Sequence, residues 1–283
     1  MSFLGRAKRK VLAAVVPRFL NYDVKKFERT LSDLEIGAGD HVMVHASWRP
    51  HSGFTGSPVD MVRAMKRAVG PKGLLIMPSM TYLDSSKAFL TRGETMKVRR
   101  SPSRMGLLSE VFRRGKDVQR SLSPTHPLLA CGERSELFLS DHEKTDRPFG
   151  PASPFAKLLD LGGKILCLDV VNETITFVHF LEDRIQDQLP FPLYEPEHYT
   201  GRVLDADGEI RLVPTRVLSE VSRKLRREEK LWAAARKKGI LRHRRVGNTR
   251  LMIVGCQDLA DLVDSMYESG KSFFDTRPGP VEL

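Results

Sequence analysis

Residues 165–186, ILCLDVVNETITFVHFLEDRIQ, constrain the fold of this chain more than any other stretch. They open on a short apolar run, turn a polar corner at Asn172, Glu173 and Thr174, and close on a segment whose apolar positions recur at helical spacing. That order predicts a strand, a tight turn and a helix. In an open α/β sheet, the turn leaving the carboxyl end of a strand is where ligands bind. The strand fixes the turn, and the new helix offers unpaired N–H groups. Thr174 or Thr176 is expected to cap the helix.

The rest of the chain fits the same class. Residues 41–45 and 73–78 read as buried strands on either side of a helix over 57–69 that is closed by Gly70-Pro71, which makes a βαβ unit with a parallel pair. Amphipathic helices are expected over 23–34 and 105–114, and a helix over 155–160 stops at Gly162-Gly163. Residues 81–101 read as an irregular excursion over the site mouth, and 189–197, with three prolines, as an extended connector. Residues 203–213 alternate around Asp207-Gly208 and read as a hairpin; 219–238 read as one basic helix with a solvated face, 246–254 as a last apolar run and 258–270 as a last helix. The expected fold is α/β, a three-layer αβα arrangement with a central mixed, mostly parallel sheet plus a C-terminal hairpin and helical excursion. Residues 21–283 form its single domain, with 189–245 peripheral.

His179 stands one turn inside the central helix, three residues after Thr176 and three before Glu182. Residues three or four apart share a helical face, so Glu182, or Asp183 at four, is placed to receive one imidazole N–H and leave the other nitrogen ready for a proton. The competing reading of the same spacing is a structural histidine on a half-buried helix face.

Charge narrows the partners. The formal net charge is +11, yet residues 221–245 (+9) and 1–20 (+5) together exceed it, so the remaining body is slightly acidic. Such a balance favours anionic partners. Residues 1–20 place Phe3, Leu4, Ala7, Val11, Leu12 and Val15 on one helical side among basic residues, ending at Pro17; the segment is too short and too charged to span a bilayer and suits an anionic membrane surface or docking on the domain. No specific nucleic acid is expected, because the basic run at 219–238 belongs to no recognised binding module and such a run is usually a solvated face. Cys131, Cys167 and Cys256 are far apart and in no paired spacing, which argues against a disulfide scaffold or a zinc site and for a reducing cytoplasm, at most peripheral to the inner membrane. In HSGFTG, residues 51–56, the glycine pair would let backbone amides approach a phosphate.

ETITFVH followed by Glu182 resembles the motif of the aminoglycoside 3-N-acetyltransferase family. So do VHASW at 44–48, the MPS run ending at Ser79, MGLLSEVFRR at 105–114, RSLSPTH at 120–126, FGPASPFAKLLDLGGKIL at 149–166 and VGNTRLMIVGCQDL at 246–259, all in the family's order. The resemblance covers about residues 27–266. It implies an acyltransferase with acetyl-CoA as cosubstrate and no metal, in which Ser47 lines the acyl-CoA channel. Relatives carry His-Pro-x-His-Ser where this chain has Ser123 and Pro127 at the first and last positions, while His126 is retained. Arg120 and Ser121 are also retained, and Arg120 is expected to meet a phosphate or carboxylate.

The expected chemistry is direct acyl transfer to a primary amine of an amino sugar, either of aminoglycoside type or part of a cell-surface polysaccharide precursor. His179 is the base, Glu182 and Glu173 orient it and attract the ammonium form, and Thr176 or Thr174 donates to the acyl oxygen. His126, Arg120, Ser121, Ser47 and Thr174 form the expected cofactor side. Two other readings stay open: a family member that binds CoA without turnover, and a basic protein that binds nucleic acid or a membrane surface.

Overall fold

The structure, a computed structural model, describes residues 15–275 apart from positions 17 and 50. The basic helix expected over 1–20, with its end at Pro17, falls mostly outside the described residues. Helix α1 (Val24–Asp33) begins on Asp23, whose carboxylate accepts the Lys26 N–H, and leads into β1 (His41–Ala46). Helix α2 (Pro58–Val69) starts on a reciprocal cap between Ser57 and Asp60 with proline at its first position, and β2 (Leu74–Pro78) follows. Then come α3 (Ser86–Thr91), β3 (Thr95–Lys97), α4 (Leu107–Arg113), β4 (Gln119–Arg120), β5 (Leu128–Cys131), α5 (Ser135–Leu139), α6 (Pro154–Asp160) and β6 (Lys164–Leu168). A 3-10 turn (Asn172–Thr174) joins β6 to α7 (Phe177–Arg184), and the chain closes with β7 (Tyr199–Leu204), β8 (Ile210–Thr215), α8 (Glu220–Leu225), α9 (Glu228–Lys238), β9 (Arg242–Val246), β10 (Thr249–Gly255) and α10 (Cys256–Glu268).

The main sheet has the order β4-β5-β2-β1-β6-β10-β9. It is mixed, and its parallel pairing is confined to the centre: β1 runs parallel to β2 and β6, while the outer strands pair antiparallel. Side chains alternate between two cores, as period-two geometry requires. Met43, Ile76, Ile165, Cys167 and Met252 face one layer containing α6, α7, α9 and α10; Val42, Val44, Leu75, Leu166 and Ile253 face the other, containing α1, α2 and α4. The central strands are apolar on both faces because helices cover both. Being parallel, β1, β2 and β6 also finish at one edge, with Ala46 opposite Leu168, and this edge carries the turn into α7.

Four expectations change. Residues 81–101 are ordered into α3 and β3, and β3 pairs with β7 to complete a second sheet, β3-β7-β8, over its own small core of Phe89, Leu90, Met96, Val203, Val213 and Val217. The basic stretch 219–238 is two helices, interrupted where Arg226 (φ −61, ψ 133) and Arg227 leave helical geometry. Residues 189–245 are not wholly peripheral: Leu231, Trp232 and Ala235 of α9 lie in the main core, and β9 is an edge strand of the main sheet. Finally, Gly53 is required by the protein itself. At φ 89 it lies against the Leu20 carbonyl, where an added Cβ would collide with backbone. No helix among the described residues is long and apolar enough to cross a membrane.

Gly53→Ala should therefore lose about 2 kcal/mol in urea unfolding, from left-handed strain and the clash. Gly37→Ala, at an exposed position with nothing near the new methyl, should stay within about 0.5 kcal/mol of the parent. Equal losses at both positions would remove the explanation.

Candidate active site

The turn after β6 is set by Asp169. This residue is buried and adopts φ 53, a left-handed conformation that aspartate tolerates better than most side chains. Its N–H donates to the Arg250 carbonyl at 2.9 Å, its Oδ1 accepts the Arg250 N–H at 3.1 Å, and its carbonyl accepts from Arg49 Nη2 at 2.8 Å. β6 is thereby tied to β10 and to the loop after β1 just where the chain bends. At the end of β1, the exposed Ser47 donates its N–H to the Leu168 carbonyl at 2.9 Å, which puts Ser47 beside the turn.

Neither threonine caps α7. Thr176 occupies the N-cap position in helical geometry with no side-chain capping bond, and Thr174 turns its hydroxyl back to the Val171 carbonyl at 2.7 Å. Thr176 Oγ1 is buried and has no hydrogen-bond partner among the described residues. Thr174 lines a cavity of about 100 Å³ with Val44, His45, Ala46, Met77, Pro78, Met105, Ser109 and Val170. His45 is buried there with Nε2 unpartnered, and burial pushes its pKa down to about 4, so it is neutral at pH 7.

The spacing argument for His179 holds in three dimensions. His179 Nδ1 lies 3.0 Å from Glu182 Oε2, and 21% of the His179 side chain is exposed while Glu182 is fully buried. Asp183, the other candidate partner, is committed elsewhere: it accepts the Tyr194 hydroxyl at 2.6 Å and lies 3.3 Å from Arg147. Arg226 was not foreseen. It approaches Glu182 as a fork, Nη2 donating to Oε2 at 2.7 Å and Nε donating to Oε1. Burial alone would raise the Glu182 carboxyl, but the His179 imidazole and the Arg226 guanidinium outweigh it and hold the pKa below the usual carboxylate range. An ionised Glu182 only accepts, so the proton sits on His179 Nδ1 and the lone pair of the neutral ring on Nε2. Glu173 has no bond to the ring: it is exposed on the turn, and its charge is felt by Glu228.

His126 joins this group from the loop between β4 and β5. Its ring centroid is 4.6 Å from Phe149, which is 5.1 Å from His179 on its other side, and Tyr82 Oη lies 3.2 Å from His126 Nε2. Burial, then His179 and His142, push the His126 pKa down to about 3. Ser123 and Pro127, the two departures from the family pattern, are absorbed by the backbone. Ser123 Oγ accepts the His126 N–H at 3.1 Å, and the Pro127 carbonyl accepts the Ser79 N–H at 2.9 Å.

Arg120 and Ser121 do not serve the role expected of them. Arg120 is buried and its guanidinium is spent on carbonyls, Nη1 donating to Ser101 at 2.7 Å and Nη2 to Ser79. Ser121 accepts the Leu128 N–H at 2.9 Å, and its hydroxyl lies 2.9 Å from His142 Nδ1. His142 Nε2 must donate to the Pro148 carbonyl at 2.9 Å, so Nδ1 accepts and Ser121 donates. Both residues brace the loop that carries His126. Among the described residues no group of three or more His, Cys, Asp or Glu is placed to hold a metal ion.

Comparison with known proteins bears on this arrangement. The profile of the family described as aminoglycoside 3-N-acetyltransferase matches residues 43–268. Aminoglycoside N(3)-acetyltransferase IV of Salmonella sp is 30% identical over 185 residues, 64% of this chain and 66% of the relative. Aminoglycoside N(3)-acetyltransferase VII of Streptomyces paromomycinus is 28% identical over 171 residues, 56% of this chain and 59% of the relative. The chain thus spans somewhat less than two thirds of the length of these curated relatives. The solved structure of AAC-IIIb, binary with CoASH, superposes with a TM-score of 0.74 at 20% identity, covering 92% of this chain and 99% of that one. The fold is shared with it, and by the family match this chain belongs to the aminoglycoside 3-N-acetyltransferase family.

Proposed function

We propose that the protein transfers an acetyl group from coenzyme A to a primary amine of an amino sugar, with His179 as general base. The observation that carries this reading is the His179–Glu182 pair, partly open to solvent at the imidazole and fully buried at the carboxylate. It stands at the ligand-binding edge of a fold whose curated relatives are named N-acetyltransferases.

The residues at the ends of β1 and β2 suit coenzyme A. Val44, Met77, Met105 and Val170 give apolar walls, and the unpartnered His45 Nε2 and the Thr174 side chain add polar points among them. The solved structure of AAC-IIIb, binary with CoASH, supports coenzyme A as the cosubstrate. When bound, the thioester supplies an activated carbonyl carbon. A sugar amine is mostly protonated at neutral pH and cannot attack, so the protein must remove a proton. His179 Nε2 takes it, and the imidazolium that results is held by the Glu182 carboxylate through Nδ1–H. The exposed Glu173 and the nearby Glu228 attract the ammonium form to this side. The free hydroxyl of Thr176 is the better donor to the acyl oxygen, since that of Thr174 is already given to Val171. The amine nitrogen forms the C–N bond as the C–S bond breaks; of the two protons the ammonium gives up on the way to the amide, one passes through His179 to the departing sulfur and the other is released to solvent. Among the described residues no Ser or Cys hydrogen-bonds the side chains of the dyad, whose bonds join only His179, Glu182 and Arg226, which favours transfer in one step within a ternary complex.

The acceptor follows from charge. Aminoglycosides are polycations, whereas residues 221–245 (+9) and 1–20 (+5) are strongly basic. That contrast favours an amino sugar carried on a nucleotide or on a lipid-linked cell-surface precursor. The intact dyad and the absorbed departures at Ser123 and Pro127 speak against a family member that binds CoA without turnover.

Thiol release from acetyl-CoA across a panel of aminoglycosides and nucleotide-linked amino sugars tests the activity, and kcat/KM should be highest for the nucleotide-linked class. His179→Ala should lower kcat/KM by roughly 100- to 10,000-fold; release at the parental rate would remove the base assignment.

Stability gives a check independent of substrate. The depressed Glu182 pKa stabilises the fold fully above the unfolded carboxyl value, and that contribution is lost as pH falls through the folded value. Glu182→Gln should therefore cost about 3 kcal/mol at pH 7, and the gap should narrow as pH falls below the usual carboxylate range. A gap constant with pH would mean that Glu182 is not held as an anion.

A further inference from the structure

A line of side chains continues outward from the His179 ring. Glu182 Oε2 takes the imidazole N–H and a second N–H from Arg226, while Arg226 Nε donates to Glu182 Oε1 and lies 3.8 Å from Glu228 Oε1. The Glu228 side chain is only 10% exposed, and its Oε2 has no hydrogen-bond partner among the described residues. The chain interrupts a helix to build this line. The break between α8 and α9 is clamped by the buried pair Phe273 and Phe274: Arg227 N–H donates to the Phe273 carbonyl at 2.8 Å, and Asp275 N–H donates to the Leu225 carbonyl at 2.7 Å. With Arg226 extended at this clamp, its guanidinium turns inward while its neighbours in the run stay outside.

We propose that Arg226 is the positioning residue of the dyad, holding the Glu182 carboxylate ionised and aimed at His179 Nδ1, with Glu228 as the outer carboxylate that tempers the charge of Arg226. The role in catalysis rests on His179 being the base; the electrostatic role does not. Glu182 has no contact with water, so without Arg226 its charge would be compensated by the imidazole alone, and the dyad would keep its proton to higher pH. Removing a negative charge at Glu228 acts in the opposite direction and more weakly, because it is one residue further out. Burial, with Glu182 and Glu173 adding to it against Arg226, raises the Glu228 pKa to about 7, so this outer carboxylate changes charge in the working range. The other titratable groups facing the line are His126 across Phe149, and Tyr194 and Tyr267, both of which sense Glu182. Asp183 and Arg147 pair beside Tyr194.

The test is an NMR titration of the His179 ring in the full-length protein without substrate, with the signal assigned by its loss in His179→Gln. Arg226→Met should raise the midpoint by about one pH unit or more, Arg226→Lys should restore most of the parental value, and Glu228→Gln should lower it. The acid limb of kcat/KM should move with each midpoint, through kcat more than through the KM for acetyl-CoA. A midpoint in Arg226→Met equal to that of the parent, in a protein with parental circular dichroism, would make Arg226 a structural tie only and overturn the proposal. If Arg226→Met does not fold, Glu228→Gln decides: a midpoint shifted upward, or left unshifted, on removal of the Glu228 charge overturns it. Midpoints that shift as expected in a protein releasing no thiol with any amine would support the positioning role while ending the acyltransferase reading.

Discussion

A carboxylate sealed from water has to be compensated on every side, and Glu182 is such a group. Its two oxygens are divided between a histidine three residues away on the same helix and an arginine 44 residues further along the chain. The first partner is local and follows from helical spacing. The second requires that the basic stretch after the hairpin break, that the chain end fold back across the break, and that α9 lie in the main core. The dyad is therefore a product of the whole second half of the chain rather than of one helix.

The sheet supplies the other half of the geometry. Only the three central strands are parallel, and that is enough to bring the ends of β1, β2 and β6 to one edge. Asp169 in left-handed geometry then turns the chain sharply, with Arg49 and Arg250 holding it from neighbouring elements. On the opposite flank, Ser121 accepts from Leu128 and meets His142 at the loop that presents His126, and Arg120 at the start of that loop donates to the Ser101 and Ser79 carbonyls. The Phe149 ring is in contact with both histidine rings. In a loop braced in this way Ser123 uses its hydroxyl to accept the His126 N–H, and the Pro127 carbonyl keeps the backbone bond from Ser79 that any residue there could accept.

The charge pattern also has a different meaning in three dimensions. A run of eleven basic residues between 221 and 245 looks uniform on paper. In the fold one of them is a buried ligand of Glu182, two more, Arg227 and Lys230, pair with Asp275, and Arg242 reaches Glu35. Basic side chains at the edge strand β9 additionally discourage pairing with another chain. Net charge thus overstates what is free to meet an anionic partner.

Much of the fold was legible from periodicity and punctuation alone. The βαβ unit, the capped start of α2 at Ser57, the hairpin around Asp207-Gly208 and the strand, turn and helix over 165–186 are each specified by residues within one turn or one ladder of each other. So was the pairing of His179 with Glu182, since three residues is one helical turn. What lay beyond sequence was whatever depended on partners distant in the chain. No glycine or proline marks the break at Arg226, because the break is held by Phe273 and Phe274 rather than by local preference. Arg120 and Ser121 match the family motif in letter, and only the tertiary structure reveals that both are buried, with the two terminal guanidinium nitrogens of Arg120 given to backbone carbonyls. Local residues determined which elements form and which histidine has a carboxylate beside it; the tertiary structure decided the charge state of that carboxylate, since burial and a distant guanidinium act through space and leave no periodic trace along the chain.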